Sequence, residues 1–498
     1  MRPLDTTAVI IGVGQVTDRP AEGARYAERP TPLDLMVQAL RRAADDSGLG
    51  ARALAELDEL IAIGSFTWHT ADPALLVADE LGVTPTRTRL TPTGGNLPQK
   101  LVHELARRIE AGELEAAAVV GAEAMNASAL AKKEGVPTGW RTQGDDVPSP
   151  PRVEDDRIPF TAEEYANGLT LPVEVYPLFE NARRARLGWS LDEQRQRLGE
   201  LWANFARVAS SNPYAWLRDA PSASTIATPS PSNRLVASPY TKLLVANLPV
   251  DMGASYLITS YGRAKRLGVA DDAMIFPQAG ADATDHWFVS DRPVLDGSPA
   301  MTAIWSALQA FGVEADHLAA LDLYSCFPTV VQTACDVLGV DAFDPSRVPT
   351  LTGGLTFGGG PGNNYVTHSI AAMVERLRGT SEQGLVTGLG WFSTKHAWGT
   401  YATTPPREGF RHRDVQDLVD AQPTCPRRQG DGDVTIESYT VTVNREGVAT
   451  KAIVAGRFRD GARVWTHSDD ADVASVALTT ELIGRAATIV DGCLVLEH

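Results

Sequence analysis

The strongest constraint on the fold of this chain is an order of strands and helices that occurs twice, about 265 residues apart. In the first copy, a β-branched run at residues 8–14 precedes a helix with a start signal at Thr31-Pro32 and a stop signal at Gly48. Residues 60–63 and 117–121 are further strands, and an amphipathic helix through Leu101 and Ile109 lies between them. Two copies of such a pattern predict two similar α/β halves that pack together.

The second copy starts near residue 274. A short strand at 274–276 precedes a helix that Ser298 and Pro299 open, and a strand at 320–323 follows. A glycine-rich loop at 353–362 then leads into a helix and a strand at 385–387. Gly95 and Gly360 occupy matching places in the two copies, each between a strand and the next helix. Loops at the ends of such strands are where α/β proteins usually bind ligands.

A long insertion interrupts the repeat, and a different kind of domain follows it. Residues 126–234 contain two Pro/Ser-rich stretches around a helix at 191–208, which predicts a lobe over one face. After residue 404 the pattern changes to strands at 434–443, 449–458 and 463–466, typical of a small β-barrel. The predicted domains are a first half at 1–125 and 235–273, an inserted lobe at 126–234, a second half at 274–404, a linker at 405–430 and a barrel at 431–498.

Composition narrows the classes of function. The formal net charge is −17, and the barrel, with 6 basic and 11 acidic residues, carries about −5, so we expect no nucleic-acid partner. The four cysteines form no CxxC pair, which predicts no disulfide framework, no metal site and a reducing, cytoplasmic setting. The chain starts without a signal-peptide core and contains no run of 18 apolar residues, so we expect no membrane partner.

Four loops carry the motifs on which a family resemblance rests. They are Thr-Pro-Thr-Gly-Gly-Asn-Leu-Pro at 91–98, Tyr-Ser-Cys-Phe at 324–327, the glycine-rich loop at 353–362 and Gly-Leu-Gly at 388–390. In this order and spacing, and with the duplicated halves and the inserted lobe, they resemble the thiolase superfamily, especially its sterol-carrier-protein type. The extra C-terminal barrel is similar to that of type 1 thiolase-like proteins. The resemblance covers about residues 6–404 plus the barrel. It implies an α/β thiolase fold with five layers, αβαβα, an inserted loop domain and a small OB-like β-barrel.

The same resemblance implies three catalytic residues that this chain lacks. The nucleophilic cysteine of thiolases falls on Gly95, the histidine of their Gly-His-Pro loop on Gly360, and their second cysteine, an acid/base, on Gly388. Acyl-enzyme formation by the family route is therefore excluded, and we expect no ordinary acetyl-CoA acetyltransferase activity. We predict a substrate cleft in which the glycines leave room for a bulkier ligand and the loop amides at 358–362 bind an oxygen atom. Its predicted lining is Gly95, Asn96, Cys326, Gly359, Gly360 and Gly388.

Two polar residues are candidates for a catalytic role. Tyr324 replaces the polar first residue of the family's four-residue loop, and a phenol can donate a proton to an oxyanion without being ionised. The resemblance also implies a precedent, because some thiolase-fold enzymes that cleave carbon-carbon bonds by retro-aldol chemistry use tyrosines, usually beside a partner protein with a small barrel domain. His396 follows the loop at 388–390 and is the second candidate.

Three functions stay open at this point. The chain is compatible with a protein that binds CoA thioesters without thiolase chemistry, with an acyltransferase or retro-aldol C–C lyase that uses Tyr324, and with a non-catalytic interaction module. We expect CoA or acyl-CoA as the ligand and no further cofactor, and we leave room for a protein partner. Thiolases are usually dimers or tetramers, whereas a barrel that masks the dimer face predicts a monomer, so a monomer and a homodimer both stay open.

Overall fold

Strands and helices alternate through the first part of the chain, as the sequence predicts. The computed structural model describes residues 4–154 and 156–496. Its first elements are β1 (Ala8–Thr17), α1 (Pro32–Asp46), β2 (Glu59–Ala62), α2 (Pro73–Leu81), β3 (Arg87–Leu90), α3 (Leu97–Glu110) and β4 (Ala116–Ala124). The start of α1 is a capping box, in which the Thr31 hydroxyl accepts the Asp34 N–H and the Asp34 carboxylate accepts the Thr31 N–H.

Glycines in β1 set the distance between this strand and α1. A Cβ on Gly12 would overlap the backbone oxygen of Ala43, and one on Gly14 would overlap that of Ala39. Only glycine lets the helix backbone approach a strand this closely. The Gly-Val-Gly sequence at residues 12–14 of β1 is therefore a packing surface for α1.

The insertion contains more helix than the sequence predicts. The elements in and just after it are α4 (Met125–Glu134), α5 (Ala162–Ala166), α6 (Pro172–Leu187), α7 (Leu191–Ser211), α8 (Ala223–Ala227), β5 (Leu235–Ala237) and β6 (Tyr240–Thr241). We predicted α7 but not α6. Pro177 lies inside α6, where a proline usually breaks a helix, so the local sequence does not favour this element. Among the helices of the described ranges, none combines the length and the apolarity that crossing a membrane requires.

A five-stranded sheet forms the first half once β7 (Asp251–Ser260) and α9 (Tyr261–Leu267) follow the insertion. Its strand order is β1-β7-β4-β2-β3, with β7 antiparallel to both neighbours. At its C-terminal end, the outer edge of β3 pairs with a later segment of the chain. The Leu90 N–H donates to Pro151 O, and the Val153 N–H donates to Leu90 O. We call residues 151–154 the strap, since they pair with the last residue of this edge.

The second half repeats four strands of the first sheet and differs at the edges. Its elements are β8 (Phe276–Thr284), α10 (Pro299–Ala310), β9 (Leu318–Asp322), α11 (Pro328–Leu338), α12 (Tyr365–Leu377), β10 (Gln383–Gly390), β11 (Lys395–Ala402), β12 (Arg411–Asp414) and α13 (Gln416–Asp420). The strand order is β12-β8-β11-β10-β9, so β12 is added beside β8, and no strand in the described part of the chain corresponds to β3. Helices α3 and α12 contact each other and both sheets, so they form the central layer. Residues 405–430, which we predicted to be a linker, include β12 and α13, and β12 pairs with β8.

A closed five-stranded barrel ends the chain, as predicted. It consists of β13 (Gly432–Val443), β14 (Ala449–Arg457), β15 (Arg463–Ser468), α14 (Ala471–Thr479), β16 (Ala486–Val490) and β17 (Cys493–Leu496). The ring order is β13-β14-β15-β17-β16 and back to β13, with α14 between the third and fourth strands. This is a small OB-like barrel. The β5–β6 hairpin extends it through a pairing of Ala237 with Thr442.

Candidate functional site

The hydroxyl of Tyr324 occupies the space beside Gly95, at the start of α3. A Cβ built on Gly95 would lie 2.6 Å from the Tyr324 hydroxyl oxygen and 2.6 Å from the backbone oxygen of Leu389. Real Cβ atoms do not approach other atoms this closely. Tyr324 and Gly95 come from different halves of the chain, and the tyrosine fills the place where a side chain at position 95 would begin.

The other two glycines differ in how much space surrounds them. A Cβ on Gly388 would lie 2.9 Å from Cα of Asn96, so this position is also packed. A Cβ on Gly360 would lie 3.3 Å from its nearest neighbour, the backbone oxygen of Asn247, and 3.5 Å from the exposed Leu248. Our prediction that the glycines leave room is therefore wrong for Gly95 and Gly388, because neighbouring groups from the other half occupy both places.

Tyr324 is held in a way that keeps its hydroxyl neutral. It follows β9, its backbone N–H donates to the Thr387 hydroxyl at 2.8 Å, and its ring meets that of Tyr365 edge-on, with centroids 5.6 Å apart. The side chain is almost completely buried. Burial raises the pKa of the phenol well above its usual value of 10. At neutral pH the hydroxyl is therefore protonated and able to donate a hydrogen bond, and it is a poor base.

Cys326 is close to Tyr324 but is not an activated nucleophile. It is buried, and burial raises the pKa of its thiol to about 12. A cysteine reacts as the thiolate, and this environment disfavours that form. The next residue, Phe327, stacks on Tyr176 of α6, with ring centroids 4.5 Å apart. The Tyr176 hydroxyl donates to Trp391 O at 2.8 Å and accepts the Ser393 N–H at 2.9 Å, which ties the inserted lobe to the turn after β10.

The glycine-rich loop uses part of its hydrogen-bonding capacity internally. The Gly360 N–H donates to Asn247 O at 2.9 Å, and the Gly362 N–H donates to Gly360 O at 2.8 Å. Gly359 packs against the sulfur of Met252, which lies 2.5 Å from where its Cβ would be. Our prediction that the amides of this loop bind a ligand oxygen is therefore wrong for Gly360 and Gly362, since both already donate within the protein.

An ion-pair group that the sequence reasoning missed lies beneath the loop at 91–98. The Lys395 ammonium donates to Thr93 O at 2.8 Å and to Glu154 Oε1 at 2.6 Å, while Lys100 reaches Glu154 Oε2 at 2.7 Å. Burial alone would raise the pKa of Glu154, but the attraction of the Lys100 and Lys395 ammonium groups is larger, so the pKa is lowered. Asn96 is buried beside this group, and its Oδ1 has no hydrogen-bond partner among the described residues.

His396 does not join the group around Tyr324. Side chains alternate between the two faces of a strand, and Lys395 faces the start of α3, near Gly94 and Gly390. His396 therefore points to the opposite face of the sheet, where its Nε2 lies 3.0 Å from Ser393 O. Alternation along β11 is the sequence signal that distinguishes Lys395 from His396. We did not use it, because we had not recognised β11 as a strand.

The buried histidines make stability depend on pH. Burial lowers the pKa of His396 to about 4 and that of His368 to about 3, from 6.5. A lowered folded-state pKa means that this stabilisation is complete above pH 6.5 and is lost as the pH falls toward 4. Within this window, we expect each histidine to lower the free energy of unfolding by up to about 1.4 kcal/mol for each pH unit of acidification.

Urea unfolding between about pH 7.5 and about pH 5 tests this expectation. His396→Gln should show a smaller decline than the wild type, whereas His317→Gln, which changes an exposed histidine, should decline as the wild type does. Equal declines in all three proteins contradict a neutral buried His396.

Comparisons with known proteins place this geometry in a family. The family described as "Thiolase-like protein type 1 additional C-terminal domain" matches residues 414–492. No curated protein sequence matches the chain significantly. The crystal structure of a monomeric SCP2-thiolase like protein type 1 from Mycobacterium smegmatis shares 30% identity, covers 99% of both chains and gives a TM-score of 0.82.

More distant structures share the fold alone. The Ltp2-ChsH2(DUF35) aldolase is 19% identical over 80% of this chain and 98% of its own, with a TM-score of 0.59. An acetyl-CoA acetyltransferase from Syntrophomonas wolfei is 13% identical over 80% and 99%, with a TM-score of 0.56. With the barrel, the duplicated halves and the match along nearly its whole length, the chain belongs to the SCP2-thiolase-like proteins of type 1, within the thiolase superfamily.

Proposed function

We propose that this protein binds a CoA thioester without forming an acyl-enzyme, and that the Tyr324 hydroxyl donates a hydrogen bond to the thioester oxygen. The observation that carries the proposal is the place of this hydroxyl, beside Gly95 at the N-terminus of α3. The positive end of a helix dipole favours partial negative charge there. A neutral phenol added to that field is suited to a carbonyl or enolate oxygen.

The fold supports the choice of ligand class. Relatives with this fold include an acetyl-CoA acetyltransferase and the dimeric peroxisomal thiolase of Saccharomyces cerevisiae. Tyr324 closes the space at Gly95, the position that the resemblance assigns to the nucleophile, and burial raises the pKa of the nearby Cys326 thiol to about 12. Because neither residue supplies a nucleophile, we infer that the thioester is bound without covalent transfer of its acyl group.

A second candidate is a retro-aldol C–C lyase. Cleavage of a 3-hydroxyacyl-CoA breaks the bond between Cα and Cβ, leaves a carbonyl product and places the electron pair on the enolate of the shorter thioester. As the bond breaks, the 3-hydroxyl group gives its proton to solvent water. The Tyr324 phenol, which burial keeps protonated, gives its proton to the enolate carbon, and the resulting tyrosinate regains a proton from solvent. An aldolase complex, Ltp2-ChsH2(DUF35), shares the fold and adds weight to this candidate.

Tyr324→Phe separates recognition from catalysis. We expect the variant to fold, to bind acyl-CoA about tenfold more weakly because one hydrogen bond is lost, and to bind free CoA as the wild type does. Calorimetric titration with CoA and with short-, medium- and long-chain acyl-CoA measures both affinities. Tyr261→Phe, on the outer helix α9, is the matched control.

The same variant tests the lyase. Incubation with 3-hydroxyacyl-CoA should yield a carbonyl product and a shorter thioester with the wild type only. If neither protein turns the substrate over but both bind it, the binding function stands and the lyase does not. Absence of saturable binding to any thioester overturns the proposal itself.

The strap supports a monomer for this chain. It pairs with the last residue of β3, Leu90, through two backbone hydrogen bonds, and Glu154 at its end is paired with Lys100 and Lys395. A sheet edge that is already paired is a poor template for a second subunit. The similar Mycobacterium smegmatis protein is described as monomeric.

A further inference from the structure

A buried group of two histidines and one aspartate joins the two halves of the molecule. Asp282 in β8 lies between His103 in α3, whose Nδ1 is 2.8 Å from Oδ1, and His412 in β12, whose Nε2 is 2.7 Å from Oδ2. The two ring nitrogens and a carboxylate oxygen lie within 4.8 Å of one another. Two imidazoles and a carboxylate, completed by a water molecule, are the ligands of many zinc sites.

The second sheet is shaped around these side chains. A Cβ on Gly280 would overlap Nε2 of His103, and one on Gly399 would overlap the amide nitrogen of Gln99. Glycine at both positions therefore makes the space in which polar side chains of α3 lie against the sheet. The side chains of Asp282 and His412 keep 12% and 8% of their surface exposed, which gives solvent a path to the group.

The hydrogen bonds around the group fix its protons. The Tyr401 hydroxyl donates to Gln99 Oε1 at 2.7 Å, so the Gln99 amide nitrogen donates to His103 Nε2 at 2.9 Å. His103 Nδ1 then carries the ring proton and donates it to Asp282. Arg107 donates to His412 Nδ1 at 3.2 Å, so Nε2 of that ring donates to Asp282. Both rings are neutral in this arrangement, as metal binding to imidazole requires.

We propose that His103, Asp282 and His412 form a binding site for a first-row divalent cation of the zinc type, such as Zn²⁺ or Co²⁺. On binding, the His103 proton moves from Nδ1 to Nε2, and the His412 proton moves from Nε2 to Nδ1, so neither ring loses a proton overall. A half-turn of the Gln99 amide presents Oε1 to the new N–H of His103 and its amide nitrogen to Tyr401. Such an outer partner commonly orients a metal-bound histidine.

The positive charge of Arg107 is expected to weaken the metal affinity of the site. Arg107 is exposed and contacts His412 Nδ1, which must become a donor when the metal binds. Its guanidinium also repels the cation. Arg107→Gln is therefore expected to bind the metal more tightly than the wild type. Metal bound adventitiously by a surface histidine elsewhere would not respond to this substitution.

Titration of the chelator-treated full-length protein with Co²⁺, followed by visible absorption, and equilibrium dialysis with Zn²⁺ test the site. We expect one equivalent of tightly bound metal in the wild type, severalfold tighter binding in Arg107→Gln, loss of binding in His412→Gln, and no change in the surface control His317→Gln. Circular dichroism checks that the variants are folded.

Two results overturn the proposal. One is a wild type that binds no metal at this stoichiometry, and the other is an affinity in Arg107→Gln equal to or weaker than that of the wild type. The Arg107→Gln affinity tests the metal site even if His412→Gln does not fold. In either case the three side chains have a structural role only, and their hydrogen bonds hold α3 against the second sheet.

Discussion

Gly95→Cys is expected to destabilise the protein and to leave it without thiolase activity. The new Cβ would lie 2.6 Å from Tyr324 and 2.6 Å from the backbone oxygen of Leu389, and the backbone cannot move aside as a flexible side chain does. Overpacking of this kind costs about 1–3 kcal/mol, and backbone contact places this case at the upper end. Urea unfolding and a thiolysis assay with an acetoacetyl thioester measure the two effects.

A double-mutant cycle connects this loss to Tyr324. Gly95→Ala and Tyr324→Ala should each destabilise the protein, and the double variant should be more stable than the sum of the single losses predicts, because the smaller side chain at 324 removes one of the two contacts. Gly360→Ala, whose Cβ has its nearest neighbour at 3.3 Å, is the matched control and should cost less. A Gly95→Ala protein as stable as the wild type contradicts the packing described for Tyr324.

Arg463→Met is expected to loosen the barrel from the rest of the molecule. The buried Arg463 guanidinium binds both oxygens of Glu437 at 2.7 Å, and its Nη1 lies within hydrogen-bonding distance of three backbone oxygens on the loop before α10. These belong to Val289 (3.2 Å), Ser290 (3.1 Å) and Arg292 (2.7 Å). The substitution leaves the three oxygens and much of a carboxylate unpaired. Removing one partner of a buried pair costs about 3–5 kcal/mol.

Urea unfolding measures this loss, and limited proteolysis shows where it acts. Cleavage should become faster in the segment between β12 and β13, which joins the barrel to the second sheet. Arg459→Met is the matched control, because Arg459 is exposed. If both variants lose the same small amount of stability, the Arg463 contacts do not hold the barrel in place.

The architecture was largely predictable because it depends on local signals. The capping box at Thr31, the helical spacing in α3 and α10, and the turn residues between barrel strands are all written in short stretches of sequence. Prediction failed where tertiary packing overrides local preference. α6 contains Pro177, and the small residues of β8 and β11 make room for the side chains of α3.

The site was predictable only in part, for a different reason. Sequence alone identifies the four loops that resemble those of thiolases and the glycines at positions 95, 360 and 388 within them, because each loop can be matched separately. It does not show that Tyr324 from the second half fills the space beside Gly95 in the first, since this contact exists only after the halves pack. The ion pair of Glu154 with Lys395 could not be predicted for the same reason, because the two residues are far apart in sequence and meet only in the folded protein.

The carbonyl resonance of a bound acyl-CoA, labelled with ¹³C at the thioester carbon, tests the central claim most directly. A hydrogen bond from a neutral phenol polarises the carbonyl and moves its resonance downfield from that of the free thioester. We predict this shift in the wild type and its loss in Tyr324→Phe, with the thioester intact in both. An unshifted resonance, a shift that survives in Tyr324→Phe, or the signal of an acyl group transferred to the protein would contradict the account.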